Sequence, residues 1–222
     1  MKVFLDTANV ATIKRCALTG LVDGVTTNPS LLSKEGNNPE GADPKKVIAD
    51  ICALVKEVSV EVTEKEPEAI YKQAKEIAAL AKNIVVKIPC HKDYVEVISR
   101  LSREGVKINV TLIFTVVQAL MMCKAGAYII SPFVGRLDDI DETGVELLYS
   151  IRHMLTTYQF KTLVLAASLR HVRHVHEAIA AEADIATVPA ELFDKLLDHP
   201  LTEIGIKKFD DDWKKLGVRQ FP

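Results

Sequence analysis

Several residues capable of chemistry stand at the ends of short aliphatic runs, and their spacing determines which way they point. Lys87 closes the run Ile84-Val85-Val86 and is followed by Ile88-Pro89. Glu61 lies between Val60 and Val62, and Asp6 follows Val3 and Leu5. Asn109 and Thr111 alternate with Ile108, Val110 and Leu112, while Ser168 follows Val164–Ala167 and Arg170 stands two further on. Side chains alternate faces along a strand, so each polar residue opposes the aliphatics beside it.

A lysine at a strand end can snorkel to water. Lys87 has aliphatic residues on both sides, and an inward lysine has little water to reach. Desolvation and neighbouring cations lower an amine's pKa and make it a nucleophile towards a carbonyl. Glu61 is then a candidate proton shuttle beside a carbinolamine, or simply the salt-bridge partner of the lysine, and the two roles are compatible. Asp6 can take a hydroxyl proton or orient a sugar hydroxyl; as the plain alternative it caps the helix after Thr7-Ala8-Asn9. Arg136 and Arg170, with Ser168 close in sequence, could clamp a phosphate, although either arginine alone could be an ordinary surface residue.

The elements that would carry these residues alternate. Candidate strands are Val3–Asp6, Gly24–Thr27, Val58–Val62, Ile84–Ile88, Lys107–Thr111, Ala127–Ser131, Thr162–Ala167 and Ile185–Val188. Between them apolar residues recur at helical spacing, as in Ile70, Ala74, Ile77 and Ala81, or Val95, Ile98 and Leu101. Eight strand–helix units with short connections predict a closed parallel (β/α)8 barrel, a TIM barrel, occupying residues 1–222 as one domain. Leu201–Leu216 is an extra amphipathic helix, and Lys34–Pro44 the one obvious loop. In such a barrel outward positions pack on helices, while polar inward residues gather at the C-terminal strand ends where barrel active sites form.

Bulk properties narrow the partners. The 222 residues carry a formal charge of −2 and no long basic run, so no nucleic-acid partner is expected. A single phosphate remains possible. No apolar run approaches a membrane span, and the amino-terminal MKVFLDTANV does not read as a signal peptide, so no membrane partner and a reducing cytoplasm are expected. The cysteines, Cys16, Cys52, Cys90 and Cys123, show neither C-x-x-C nor zinc spacing and read as buried reduced thiols. Cys90 shares the parity of Ile88, points outward and should be inert. His171, His174 and His176 follow Arg170 where a solvated helix start is expected, and their spacing does not put all three on one helical face, which argues against a metal site.

The motifs FLDTAN at 4–9, DGVTTNPSLL at 23–32, VVKIP at 85–89, NVTLIF at 109–114, ISPFVGR at 130–136 and AASLR at 166–170 resemble those of the transaldolase family, in family order. The length resembles the small subfamily, which also contains the fructose-6-phosphate aldolases. The resemblance implies a class I mechanism, with Lys87 forming a Schiff base on a ketose phosphate, no metal or organic cofactor, and a dihydroxyacetone unit carried to an acceptor aldehyde. It implies acid/base work for Asp6 and a water held by Glu61 and Thr111. Asn28, Asn109 and Ser131 would bind the dihydroxyacetone hydroxyls, and Arg136, Ser168 and Arg170 the distal phosphate. The aldolases are expected to carry Gln at the position of Glu61 and Tyr at that of Phe133, so these two residues favour transfer over net cleavage. The usual substrates by resemblance are sedoheptulose 7-phosphate or fructose 6-phosphate as donor and glyceraldehyde 3-phosphate or erythrose 4-phosphate as acceptor, the pentose phosphate pathway set. A homo-oligomer, pentamer or decamer, with the final helix reaching a neighbour is likewise expected; the alternative is that this helix covers its own barrel. A fructose-6-phosphate-type aldolase and a non-catalytic sugar-phosphate-binding barrel stay open as other readings.

Overall fold

The computed structural model describes residues 1–36 and 43–217. Eight parallel strands close into a barrel: β1 (Lys2–Asp6), β2 (Gly24–Thr26), β3 (Glu57–Glu61), β4 (Ile84–Pro89), β5 (Ile108–Ile113), β6 (Ile129–Pro132), β7 (Leu163–Ala166) and β8 (Ile185–Val188). Closure is direct, because β1 pairs with both β2 and β8. Helices Val10–Ala17, Pro67–Leu80, Val95–Arg103, Val116–Lys124 and Val172–Ala180 each fill one crossover. Two helices occupy the β2–β3 connection, Pro29–Gly36 and Pro44–Leu54, and two the β6–β7 connection, Val134–Asp138 and Gly144–Thr157. Ala190–Phe193 and Pro200–Lys215 follow β8.

Local chemistry sets the helix starts. Asn9, rather than Asp6, caps the first helix by accepting from Thr12 N–H at 2.8 Å. Thr115 and Gln118 form a reciprocal capping box at Val116. Prolines 44, 67 and 200 open their helices, where a missing N–H costs nothing. The loop read at Lys34–Pro44 is shorter, since helices run to Gly36 and from Pro44; its residues 37–42 lie outside the described ones.

Strand parity divides the core in two. Outward residues such as Leu5, Val60, Val86, Ile88, Val110 and Ile130 pack with Ile13, Ile51, Ile70, Ile98 and Leu101 of the surrounding helices. Inward residues Phe4, Val85, Ile129, Leu165 and Ile185 form a separate apolar plug inside the barrel. Burying each such side chain contributes about 1.5–3 kcal/mol. Above the plug the same inward positions turn polar: Asp6 follows Phe4, Lys87 follows Val85, and Ser131 follows Ile129 along their strands. The plug therefore floors an upper cavity at the C-terminal strand ends.

The final helix, Pro200–Lys215, buries none of its residues, so it does not cover its own barrel; Leu201, Ile204, Ile206 and Phe209 are exposed. Among the described residues no helix is long and apolar enough to cross a membrane.

Gly24 marks the tightest approach within the plug: a Cβ there would lie 2.5 Å from Glu57 O and 2.6 Å from the Phe4 ring. Both neighbours are fixed, one by the β2–β3 ladder and one by burial. Gly24→Ala is expected to destabilise the protein by about 1–3 kcal/mol in denaturant unfolding, and wild-type stability in that variant would contradict this packing.

Candidate active site

Strand register assembles the upper layer. Glu61 of β3 stands opposite Lys87 of β4, which stands opposite Asn109 of β5. Three inward polar side chains on adjacent strands thus share one level. Lys87 is 6% exposed; its Nζ lies 3.0 Å from Glu61 Oε2 and donates to Thr27 O at 3.3 Å. A lone buried ammonium would be costly, and the carboxylate offsets that cost.

Asp6 accepts a 2.7 Å hydrogen bond from Thr26 Oγ1, whose hydroxyl also meets Thr187 Oγ1 at 2.6 Å. Sequence reasoning missed Thr26 and Thr187. Their signal was the same parity, a hydroxyl among aliphatics near the C-terminal end of a strand. A second chain of bonds runs beneath the opposite wall: Ser131 Oγ donates to Asn109 Oδ1 at 2.6 Å, and Asn109 Nδ2 donates to Ser59 Oγ at 3.1 Å. Ser59 was also missed. Asn28 Oδ1 accepts from Leu31 N–H at 2.9 Å, so that side chain starts the helix beginning at Pro29 as well as facing the mouth.

The cavity has a volume of about 360 Å³ and is lined by Asp6, Asn28, Glu61, Lys87, Thr111, Ser131, Phe133, Arg136 and Ser168, together with Thr26, Ser30, Leu112 and Thr187. Nine of the eleven residues singled out in the sequence line this mouth; Asn109 and Arg170 do not. Asn109 lies just below it, with both ends of its amide engaged. Arg170 turns its guanidinium to the Asp139 carboxylate. Arg136 instead stacks over the Phe133 ring at 4.8 Å and has no carboxylate partner among the described residues.

Two of the five non-glycine residues with positive φ among the described residues lie here. The β5–β6 register shifts between Val110 and Ile113, and Leu112 adopts φ +59°. Thr111 and Leu112 consequently both reach the mouth, where simple alternation put them on opposite faces. Ser168 has φ +61°. Such conformations cost about 1–3 kcal/mol each and persist only where the surroundings over-determine them. Thr111 Oγ1 is buried with no hydrogen-bond partner among the described residues, on a residue that lines the cavity.

Outside the mouth, Cys16 and Cys123 are buried, whereas Cys52 and Cys90 are only half-buried against the outer core. Burial raises all four thiols above the ordinary cysteine range, which disfavours reactive thiolates. The expectation of a solvated histidine cluster needs correction at one residue: His174 is buried, while His171 and His176 are exposed. Its helix packs that face inward beside Val175 and Ala178.

Comparison with known proteins adds family context to this geometry. The family model described as Transaldolase/Fructose-6-phosphate aldolase matches residues 3–219. A protein of Methanococcus vannielii named "Probable transaldolase" is 50% identical over 96% of this chain and 97% of its own. One of Lactiplantibacillus plantarum with the same name is 50% identical over 99% and 100%. The barrel is also similar to a solved structure titled "Native KDPGal structure", with a TM-score of 0.57 and 13% identity over 85% of this chain and 82% of that one, a likeness of fold.

The Lys87–Glu61 pair makes a stability prediction independent of activity. Fully buried pairs cost about 3–5 kcal/mol when one partner is removed; the open mouth should reduce this. Lys87→Met and Glu61→Leu are each expected to cost about 2–3 kcal/mol, with the double variant recovering most of the loss. Strict additivity in that cycle would show that the two groups do not stabilise each other.

Proposed function

The chain belongs to the transaldolase/fructose-6-phosphate aldolase family, and we propose that it transfers a dihydroxyacetone unit from a ketose phosphate to an aldose phosphate through a Schiff base on Lys87. The observation that carries this reading is one amine, buried at the base of the mouth, 3.0 Å from a carboxylate that can receive its proton. Fructose 6-phosphate or sedoheptulose 7-phosphate would be the donor, and erythrose 4-phosphate or glyceraldehyde 3-phosphate the acceptor.

In this reading the neutral Lys87 amine adds to the ketone carbon and forms a carbinolamine. Glu61 and a water held by Thr111 deliver the proton with which the hydroxyl leaves as water, giving the protonated imine. Asp6, oriented by Thr26, takes the proton of the C4 hydroxyl. The C3–C4 electron pair then moves towards the imine nitrogen, which serves as the electron sink, and the aldose phosphate departs. The remaining enamine attacks the acceptor aldehyde, Asp6 returns its proton to the new alkoxide, and water hydrolyses the imine to regenerate the amine. Asn28, Asn109 and Ser131 would bind the dihydroxyacetone hydroxyls, and Arg136, Ser168 and Arg170 the distal phosphate. The scheme calls for no metal or organic cofactor.

Glu61 and Phe133 support transfer over net cleavage. Transfer requires the enamine carbon to stay unprotonated until an acceptor arrives. A phenylalanine at the mouth wall, edge-on to Phe114 with ring centres 5.9 Å apart, supplies no hydroxyl to hold a proton-donating water. The same reading takes residues 1–222 as one catalytic domain acting in the cytoplasm in the pentose phosphate pathway. It also takes the chain as a homo-oligomer, pentamer or decamer, which the exposed apolar residues of Pro200–Lys215 favour.

The test is product analysis with fructose 6-phosphate, with and without erythrose 4-phosphate. Transfer predicts sedoheptulose 7-phosphate and glyceraldehyde 3-phosphate only when the acceptor is present, and little free dihydroxyacetone in its absence. Phe133→Tyr should raise dihydroxyacetone release at least about tenfold, short of the roughly 10²–10⁴-fold that a fully positioned proton donor contributes. Rapid release by the wild type without acceptor would replace transfer with net aldol cleavage.

A further inference from the structure

Behind the mouth wall, the loop after β7 that carries Ser168 and Arg170 lies against the segment Phe133–Asp138 that carries Arg136. Val134 N–H donates to Ala167 O at 3.0 Å and Gly135 N–H to Ser168 O at 3.1 Å. The approach is so close that a Cβ on Gly135 would stand 2.3 Å from Ser168 O and 2.9 Å from Arg170 Nε. Beyond the arginine, two successive aspartates hold the same loop again. Asp139 takes the Arg170 guanidinium. Asp138 accepts from Gly144 N–H with one oxygen at 2.9 Å, and its other oxygen lies 2.8 Å from His174 Nε2.

His174 completes this link. Its Nδ1 accepts the Arg170 backbone N–H at 3.1 Å, so a neutral ring carries its proton on Nε2 and donates it to Asp138. One buried ring thereby reaches one segment with each nitrogen. Desolvation, and secondarily the nearby His171 ring with its centroid 3.6 Å away, push His174 below the ordinary histidine range, while Asp138 opposes. The partners of His174 are the Arg170 backbone, just ahead of its own helix, and the end of the Val134–Asp138 helix, two residues beyond Arg136; the Arg170 loop also contains Ser168 at positive φ.

We propose that His174, oriented by Asp138, is a positioning residue that fixes Ser168 and Arg170 relative to Arg136 and so sets the affinity of the mouth for the phosphate of its substrates. This rests on reading that end of the cavity as the phosphate subsite. Neither nitrogen of His174 touches substrate. It acts through the backbone of residue 170, holding a loop whose own conformation is unfavourable.

The experiment titrates inorganic phosphate by calorimetry and measures fructose 6-phosphate kinetics in three variants, with thermal melting as the check on folding. His174→Ala should weaken phosphate binding and raise KM about tenfold, the worth of one lost hydrogen bond to a positioned group, with kcat within about threefold. His174→Asn retains an acceptor opposite the Arg170 N–H and should recover most of the affinity. His174→Gln retains only the donor to Asp138 and should not. Unchanged phosphate affinity in His174→Ala, or equal behaviour of the Asn and Gln variants, would overturn the proposal. Should His174→Ala fail to fold, the Asn–Gln comparison decides alone. A wild type whose phosphate affinity depends on His174 yet which turns over no sugar would leave this inference standing and remove the proposed function instead.

Discussion

A lysine ammonium buried inside a closed barrel is the constraint around which the upper half of this structure is organised. Eight strands close into a barrel, and the apolar plug of Phe4, Val85, Ile129, Leu165 and Ile185 fills its lower interior. Lys87 sits one inward position above Val85, so the plug offers its charge no partner from below. Register supplies Glu61 from β3, and the Thr27 carbonyl supplies a second acceptor. An apolar pair at positions 61 and 87 would avoid the cost of burying two charges, so stability alone does not account for the lysine.

The rest of the mouth follows from keeping polar groups oriented in so small a space. Asp6 is aimed by Thr26, itself joined to Thr187, and Ser131 is tied through Asn109 to Ser59. These networks fix side chains before any ligand arrives, which is the condition for electrostatic stabilisation without reorganisation. The strain at Leu112 and Ser168 belongs to the same economy of space, because both residues reach the mouth through backbone conformations that ordinary strands and turns avoid. Farther out, Asp138 and Asp139 anchor the loop after β7, so the outer wall is held from behind rather than from within the cavity.

Parity made much of this legible in the sequence. Asp6, Glu61 and Lys87 each follow a run whose aliphatics had to face the helices, and the barrel turns all three inward. Strand ends moved by only a residue or two, β5 included, where the irregularity at Leu112 extends pairing to Ile113. A bulge breaks the period-two pattern from which parity is read, and nothing in NVTLIF announces a left-handed leucine. Thr26 and Thr187 were hidden because a single threonine near a strand end is common and its inward hydroxyl becomes meaningful only beside Asp6. Arg170 pairs with Asp139 across the fold, and His174 looked solvated until the helix orientation placed it beside Asp138. Both are contacts between segments some thirty-odd residues apart, which local patterns cannot encode.

The central claim is that Lys87 forms a covalent imine with a ketose, and borohydride trapping with peptide mass spectrometry tests it most directly. After incubation with fructose 6-phosphate and reduction, the account predicts a stable dihydroxyacetone-derived mass on the peptide containing Lys87. A folded protein at saturating substrate that yields no adduct there, or an adduct on another lysine, would contradict it.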